Sequence, residues 1–169
     1  MTPGSREDLR LPQIATAARR VGLRVAVHLE PWEGRTPAST ADAIRLLSGQ
    51  RIRDFYVYDS TTSGDEEWAT ALASLTGVRV FANTWLPGRA AKGGFDGLYS
   101  YDVLVYDGGS FARVCASAHR LGLLCAPSVG PGFDSMRATP VKTTAPRRDG
   151  RPPSADRPRT ARGRRRPRS

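Results

Sequence analysis

Leu23-Arg24-Val25-Ala26-Val27-His28-Leu29-Glu30, held between Gly22 and Pro31, is the stretch on which the fold turns. Val25, Val27 and Leu29 make residues 23–29 a short apolar run of the kind that forms a buried strand. The run closes on a histidine and a glutamate, so the strand delivers polar chemistry at its C-terminal end. Upstream, residues 14–21 read as the end of a helix that Gly22 stops.

Downstream the same unit recurs. Thr36-Pro37 opens a helix through residue 47, with Ile44, Leu46 and Leu47 on its apolar face. Residues 55–58 are a strand of aromatic and β-branched residues. Residues 65–75 form a helix whose first turn holds Asp65, Glu66 and Glu67, where the helix dipole favours acids. Strands are expected at 78–81, at 95–100 after Gly93-Gly94, and at 123–127, with a helix over 110–121.

Strands alternating with helices imply an α/β protein with a parallel sheet, either doubly wound or a (β/α) barrel. The strand ends carry His28-Leu29-Glu30, Tyr58-Asp59-Ser60, Tyr99-Ser100-Tyr101 and Ser128. A barrel uses the C-terminal ends of all its strands, whereas a doubly wound sheet binds at one switch point. The expectation is part of a (β/α)8 barrel of about four βα units, with Val25, Val27, Val57 and Leu124 or their neighbours on the inner face.

Charge divides the chain in two. Residues 1–136 hold 14 Lys+Arg against 14 Asp+Glu, while residues 137–169 hold 12 against two, which accounts for the whole net charge of +10. The body therefore has no electrostatic bias toward a polyanion. From Val141 to Ser169 there is no Leu, Ile, Met, Phe, Tyr, Trp or Cys, so this segment cannot bury enough apolar surface to offset chain entropy. The expected organisation is a barrel domain over 1–136 and a disordered Arg/Pro-rich tail over 137–169. Three readings of the tail stand open: text translated out of frame, an inert tail, or an arm around Arg164-Arg165-Arg166 that binds nucleic acid or anionic surfaces non-specifically.

Cys115 and Cys125 sit in apolar surroundings without metal-ligand spacing, and are expected as two small core residues rather than a disulfide. The first ten residues have no apolar h-region, and no apolar run approaches the roughly 20 residues of a membrane span. No metal or cofactor is expected.

Four segments carry a family resemblance. They are His28-Leu29-Glu30-Pro31-Trp32-Glu33-Gly34-Arg35, Phe55-Tyr56-Val57-Tyr58-Asp59-Ser60, Phe95-Asp96-Gly97-Leu98-Tyr99-Ser100-Tyr101 and Pro127-Ser128-Val129-Gly130-Pro131-Gly132-Phe133. In this order they resemble strand-end motifs of the endo-α-mannosidases of glycoside hydrolase family 99. Trp32 and Phe133 stand where that family has Tyr, which keeps an apolar face and loses a hydroxyl at each, and Thr61 replaces a Tyr. The resemblance implies a (β/α)8 barrel that hydrolyses α-mannosides internally. It also implies a later Asn-Glu-Trp-x-Glu-Gly segment carrying two catalytic carboxylates, and this chain has none.

No catalytic residue is therefore assigned, and weak binding of an α-mannoside glycan is the activity expected. The candidate substrate contacts are His28, Glu30, Tyr58, Asp59, Tyr101 and Ser128. The resemblance makes Glu30 a sugar contact rather than an acid or base. Glu33 reads as a solvated loop acid, and Pro31 removes any helical reason for the two to share a face. Asp59 reads equally as a sugar acceptor and as a structural anchor. Ser128-Val129-Gly130-Pro131-Gly132 lacks the Lys-Ser/Thr of a phosphate loop and reads as a pocket rim. Open sheet edges make self-association a further expectation. The rival functions are a basic-tail binder of polyanions and a non-functional gene fragment.

Overall fold

The computed structural model describes residues 6–30, 34–101, 108–128, 133–134 and 144–145. The chain divides into two compact units, Met1–Val129 and Gly130–Ser169. In the first, α1 (Arg6–Arg20) precedes β1 (Ala26–Leu29), α2 (Pro37–Ser48), β2 (Asp54–Val57) and α3 (Asp65–Leu72). Then come β3 (Arg79–Asn83), α4 (Pro87–Lys92), β4 (Gly97–Tyr99), α5 (Gly108–Arg120) and β5 (Leu124–Ala126).

Local chemistry sets these boundaries. Thr36 caps α2: its hydroxyl accepts the Ser39 N–H at 3.2 Å, and Ser39 Oγ accepts the Thr36 N–H at 2.9 Å. Pro37 then occupies the first turn, where its missing N–H costs nothing. Gly22, at φ +75°, ends α1 in the left-handed region, and the Leu23 N–H returns to the Ala18 carbonyl at 2.9 Å. That exit turn occupies Leu23, so β1 starts at Ala26, three residues later than the apolar run suggests. The helix α4 was not expected: six residues are too few to show a 3.6-residue period.

The five strands are parallel in the order β1-β2-β3-β4-β5. They make four complete βα units and a fifth strand. Each crossover advances one strand in the same direction, so these strands contain no switch point of the doubly wound kind.

Register sorts the side chains into two faces. Val27, Phe55 and Val80 align in one row, and Leu29, Val57, Ala82, Leu98 and Cys125 in another. With Leu11, Ile44, Trp68, Leu72, Ala90 and Ala118 they form or border a single hydrophobic core beneath the helices. Val27 and Val57 are 4% and 3% exposed there, which corrects their expected place on the inner face. Val25 also packs against this core, while Leu124 does lie on the opposite face at 43% exposure. Alternation separates the two sets, but only the helices decide which set they cover.

The opposite face carries His28, Tyr56, Phe81, Gly97 and Leu124 in one register row, with Asp54 and Arg79 in the row before it. Asp54 and Arg79 form an ion pair, with Arg79 Nε 2.6 Å from Asp54 Oδ1. β1 and β5 end the strand order, so among the described strands each is paired on one side only.

Cys115 of α5 and Cys125 of β5 are joined by a disulfide, with their Cα atoms 5.3 Å apart. This overturns the expectation of two unbridged core residues. Helix α5 folds back antiparallel to β5 through a tight turn, which brings residues ten apart in sequence to bridging distance.

In the second unit β6 (Phe133–Asp134) pairs antiparallel with β7 (Thr144–Ala145). Two residues of the segment expected to lack order are thus in a ladder, and the rest of that segment lies outside the described residues. Among the described residues no helix is long and apolar enough to cross a membrane.

Candidate functional site

The uncovered sheet face is built around aromatic rings. A Cβ on Gly97 would stand 2.7 Å from Cδ1 of Phe81, so only glycine admits the Phe81 ring there. Tyr56 stacks on Phe81 with centroids 4.7 Å apart and planes 9° apart. The edge of Tyr99 then meets Tyr56 at 5.1 Å and 89°.

Toward the C-terminal ends of the strands this layer becomes polar. His28 Nε2 lies 2.8 Å from the Tyr99 hydroxyl, and Nδ1 lies 3.6 Å from Glu30 Oε1. Tyr101 stacks over the imidazole at 5.8 Å and 18°, and Tyr58 tilts against it at 5.8 Å and 53°. Tyr58 and Tyr101 close the group edge to face at 4.9 Å. Three strand steps of about 4.8 Å would hold β1 and β4 roughly 14 Å apart in a flat sheet. Side chains stand roughly perpendicular to a sheet, so contact between His28 and Tyr99 requires this face to be concave.

Burial shapes the electrostatics. It pushes the His28 imidazole below its ordinary 6.5, while the Glu30 carboxylate pulls the other way. Burial also drives the Tyr99 hydroxyl far above its ordinary 10, and Tyr58, Tyr101, Asp59 and Glu30 push in the same direction. Tyr99 therefore stays protonated and His28 favours its neutral form at neutral pH.

The candidate residues are thus unequally placed. His28, Glu30, Tyr58 and Tyr101 converge, with Tyr101 58% exposed above the others. Asp59 follows Tyr58 at φ +47°, and its carbonyl accepts both the N–H and the hydroxyl of Thr62, at 3.0 and 2.8 Å. Its backbone anchors the corner and its side chain is exposed, so both readings of Asp59 have a structural counterpart. Ser60 next to it is fixed by the buried Trp68, whose Nε1 donates to the Ser60 carbonyl at 2.7 Å.

Ser128 is committed to Ser100. Its N–H donates to Ser100 Oγ at 2.9 Å and its hydroxyl donates to the Ser100 carbonyl, tying the end of β5 to the end of β4. Glu33, Trp32 and residues 129–132 lie outside the described residues.

Tyr99 was not among the residues expected at the site. Its alternation with Tyr101 shows that the two share a face, but its bond to His28 depends on sheet curvature, for which a sequence has no signature.

No family model matches the chain. It is 31% identical to a glycoprotein endo-alpha-1,2-mannosidase-like protein of Danio rerio, over 79% of this chain and 38% of that one. Identity to a glycoprotein endo-alpha-1,2-mannosidase of Xenopus laevis is 27%, over 77% of this chain and 36% of that one. The Homo sapiens glycoprotein endo-alpha-1,2-mannosidase-like protein is 26% identical over the same shares, 77% and 36%. The chain therefore spans a little over a third of the length of these curated relatives. Over some four fifths of its own residues the chain is similar to endo-alpha-1,2-mannosidase relatives, the family that its four strand-end motifs resemble.

Proposed function

We propose that the concave face at the strand ends binds α-mannoside-containing glycans, as part of a (β/α)8 barrel of the endo-α-mannosidase type. The observation that carries this reading is the convergence of His28, Tyr58, Tyr99 and Tyr101 beside Glu30 at the C-terminal ends of β1, β2 and β4. Exposed aromatic faces suit the C–H faces of a pyranose ring, while a carboxylate and tyrosine hydroxyls suit its hydroxyl groups. Sequential strand order with the helices on one face supports the barrel, as does the curvature that the His28–Tyr99 contact demands.

Glycoside hydrolysis generally takes two carboxyl groups flanking the scissile bond. Chain 1–169 contains no Asn-Glu-Trp-x-Glu-Gly segment to supply them. Its own role is recognition, and turnover needs carboxylates from beyond residues 1–169.

Two measurements test this. Titration with α-1,2-mannobiose should perturb the tyrosine signals at millimolar sugar, with cellobiose as control, and Tyr101→Ala should weaken binding roughly fivefold. Indifference to mannobiose would end the glycan reading. Incubation with an α-1,2-mannoside should release no reducing sugar beyond a Glu30→Gln control. Release above that control would show that this chain holds a catalytic pair.

A further inference from the structure

We propose that Tyr99 is a positioning residue that fixes the tautomer and orientation of His28, so that the imidazole presents its Nδ1–H to Glu30 and leaves that carboxylate oriented for a sugar hydroxyl. The proposal deepens the glycan reading and rests on it for its purpose, though not for its geometry.

Tyr99 is 5% exposed, and among the described residues the partner of its hydroxyl is His28 Nε2, at 2.8 Å. A buried O–H left without an acceptor is costly. Donation from the phenol to the imidazole makes Nε2 the bare nitrogen. The ring proton then resides on Nδ1, the nitrogen that faces Glu30 Oε1 at 3.6 Å. The opposite tautomer would set a nitrogen lone pair against a carboxylate. Both contacts therefore favour one arrangement, and each ring nitrogen has an assigned role.

The groups that face His28 are few. Glu30 comes from its own strand, Tyr58 from the end of β2, and Tyr99 and Tyr101 from β4 and the residues after it. Of these, Glu30 is the one carboxylate. Tyr101 and Tyr58 contact the ring through their faces and edges, which leaves its rotation to be set by the two polar contacts. A ring held in this way directs its Nδ1–H toward the carboxylate beside it, which is the preorganisation a hydroxyl-binding site needs.

The chain has two histidines, so nitrogen-15 spectra of labelled full-length chain contain His28 and one reference, His119, exposed on α5. His28 Nε2 should resonate as an unprotonated nitrogen and Nδ1 as a protonated one. Tyr99→Phe should collapse that preference toward a mixture and weaken mannobiose binding roughly fivefold. Glu30 is half exposed, so Glu30→Gln keeps the fold and serves as the second arm: it should weaken sugar binding yet leave Nε2 bare. A His28 protonated on Nε2 in the unaltered chain would overturn the proposal. So would a tautomer that survives Tyr99→Phe, or one that inverts in Glu30→Gln. The spectra need no sugar, so absence of mannobiose binding would refute the glycan reading while leaving the tautomer result to stand or fall alone.

Discussion

The His28 imidazole and the Tyr99 hydroxyl meet at 2.8 Å although β2 and β3 lie between their strands. The contact records two properties together: curvature of the sheet toward its uncovered face, and a histidine held where burial disfavours its charge.

That histidine should titrate below the ordinary 6.5, because burial lowers it more than Glu30 raises it. The unfolded chain takes up its proton near 6.5 and the native chain only at lower pH. Stability should therefore be unaffected by His28 above 6.5, fall as pH drops toward the native midpoint, and level off below it. Glu30→Gln removes the opposing influence and should move the midpoint lower still. Proton or nitrogen-15 titration of His28 reads both, and a midpoint above 6.5 would reverse the assigned balance.

The Cys115–Cys125 bridge closes a loop between α5 and the edge strand β5. A ring of that size restricts the unfolded chain enough to contribute about 2–3 kcal/mol in the loop-entropy account. Replacing both cysteines by serine should lower the urea midpoint accordingly. Thiol titration of the unreduced, denatured chain should find no free sulfhydryl, and two reactive thiols would mean the bridge does not form.

β1 and β5 each expose an unpaired edge among the described strands, and the face between them, lined by Tyr56, Phe81 and Leu124, has no helix over it among the described residues. A parallel barrel removes its edges only by closing, and the five described strands would not close the eight-stranded ring proposed above. Chain 1–169 should therefore self-associate, as a dimer or as larger aggregates. Light scattering during thermal unfolding checks this, and a monodisperse monomer with a sharp, reversible transition would contradict it.

Polyanion affinity should reside wholly in residues 137–169, which hold 12 Lys+Arg against two Asp. Retention on heparin should weaken steeply with salt and vanish on truncation after Met136. A truncated body that still binds would show that its balanced charges are unevenly spread.

Much of this molecule is written locally. Residues 23–29 with Gly22 and Pro31, the Thr36-Pro37 cap and the acids of 65–67 are short-range signals, and the strands and helices they announce are present within about three residues. The four strand-end motifs also carried the family resemblance, because each is contiguous in the chain. Only tertiary structure decided the rest. Which alternate set of strand residues lies under the helices put Val27 and Val57 in the core and Tyr56 on the open face. The return of α5 onto β5 turned Cys115 and Cys125 into a disulfide. Curvature brought Tyr99 to His28. Each of these depends on where a distant segment comes to lie, and neither side-chain periodicity nor spacing carries that distance.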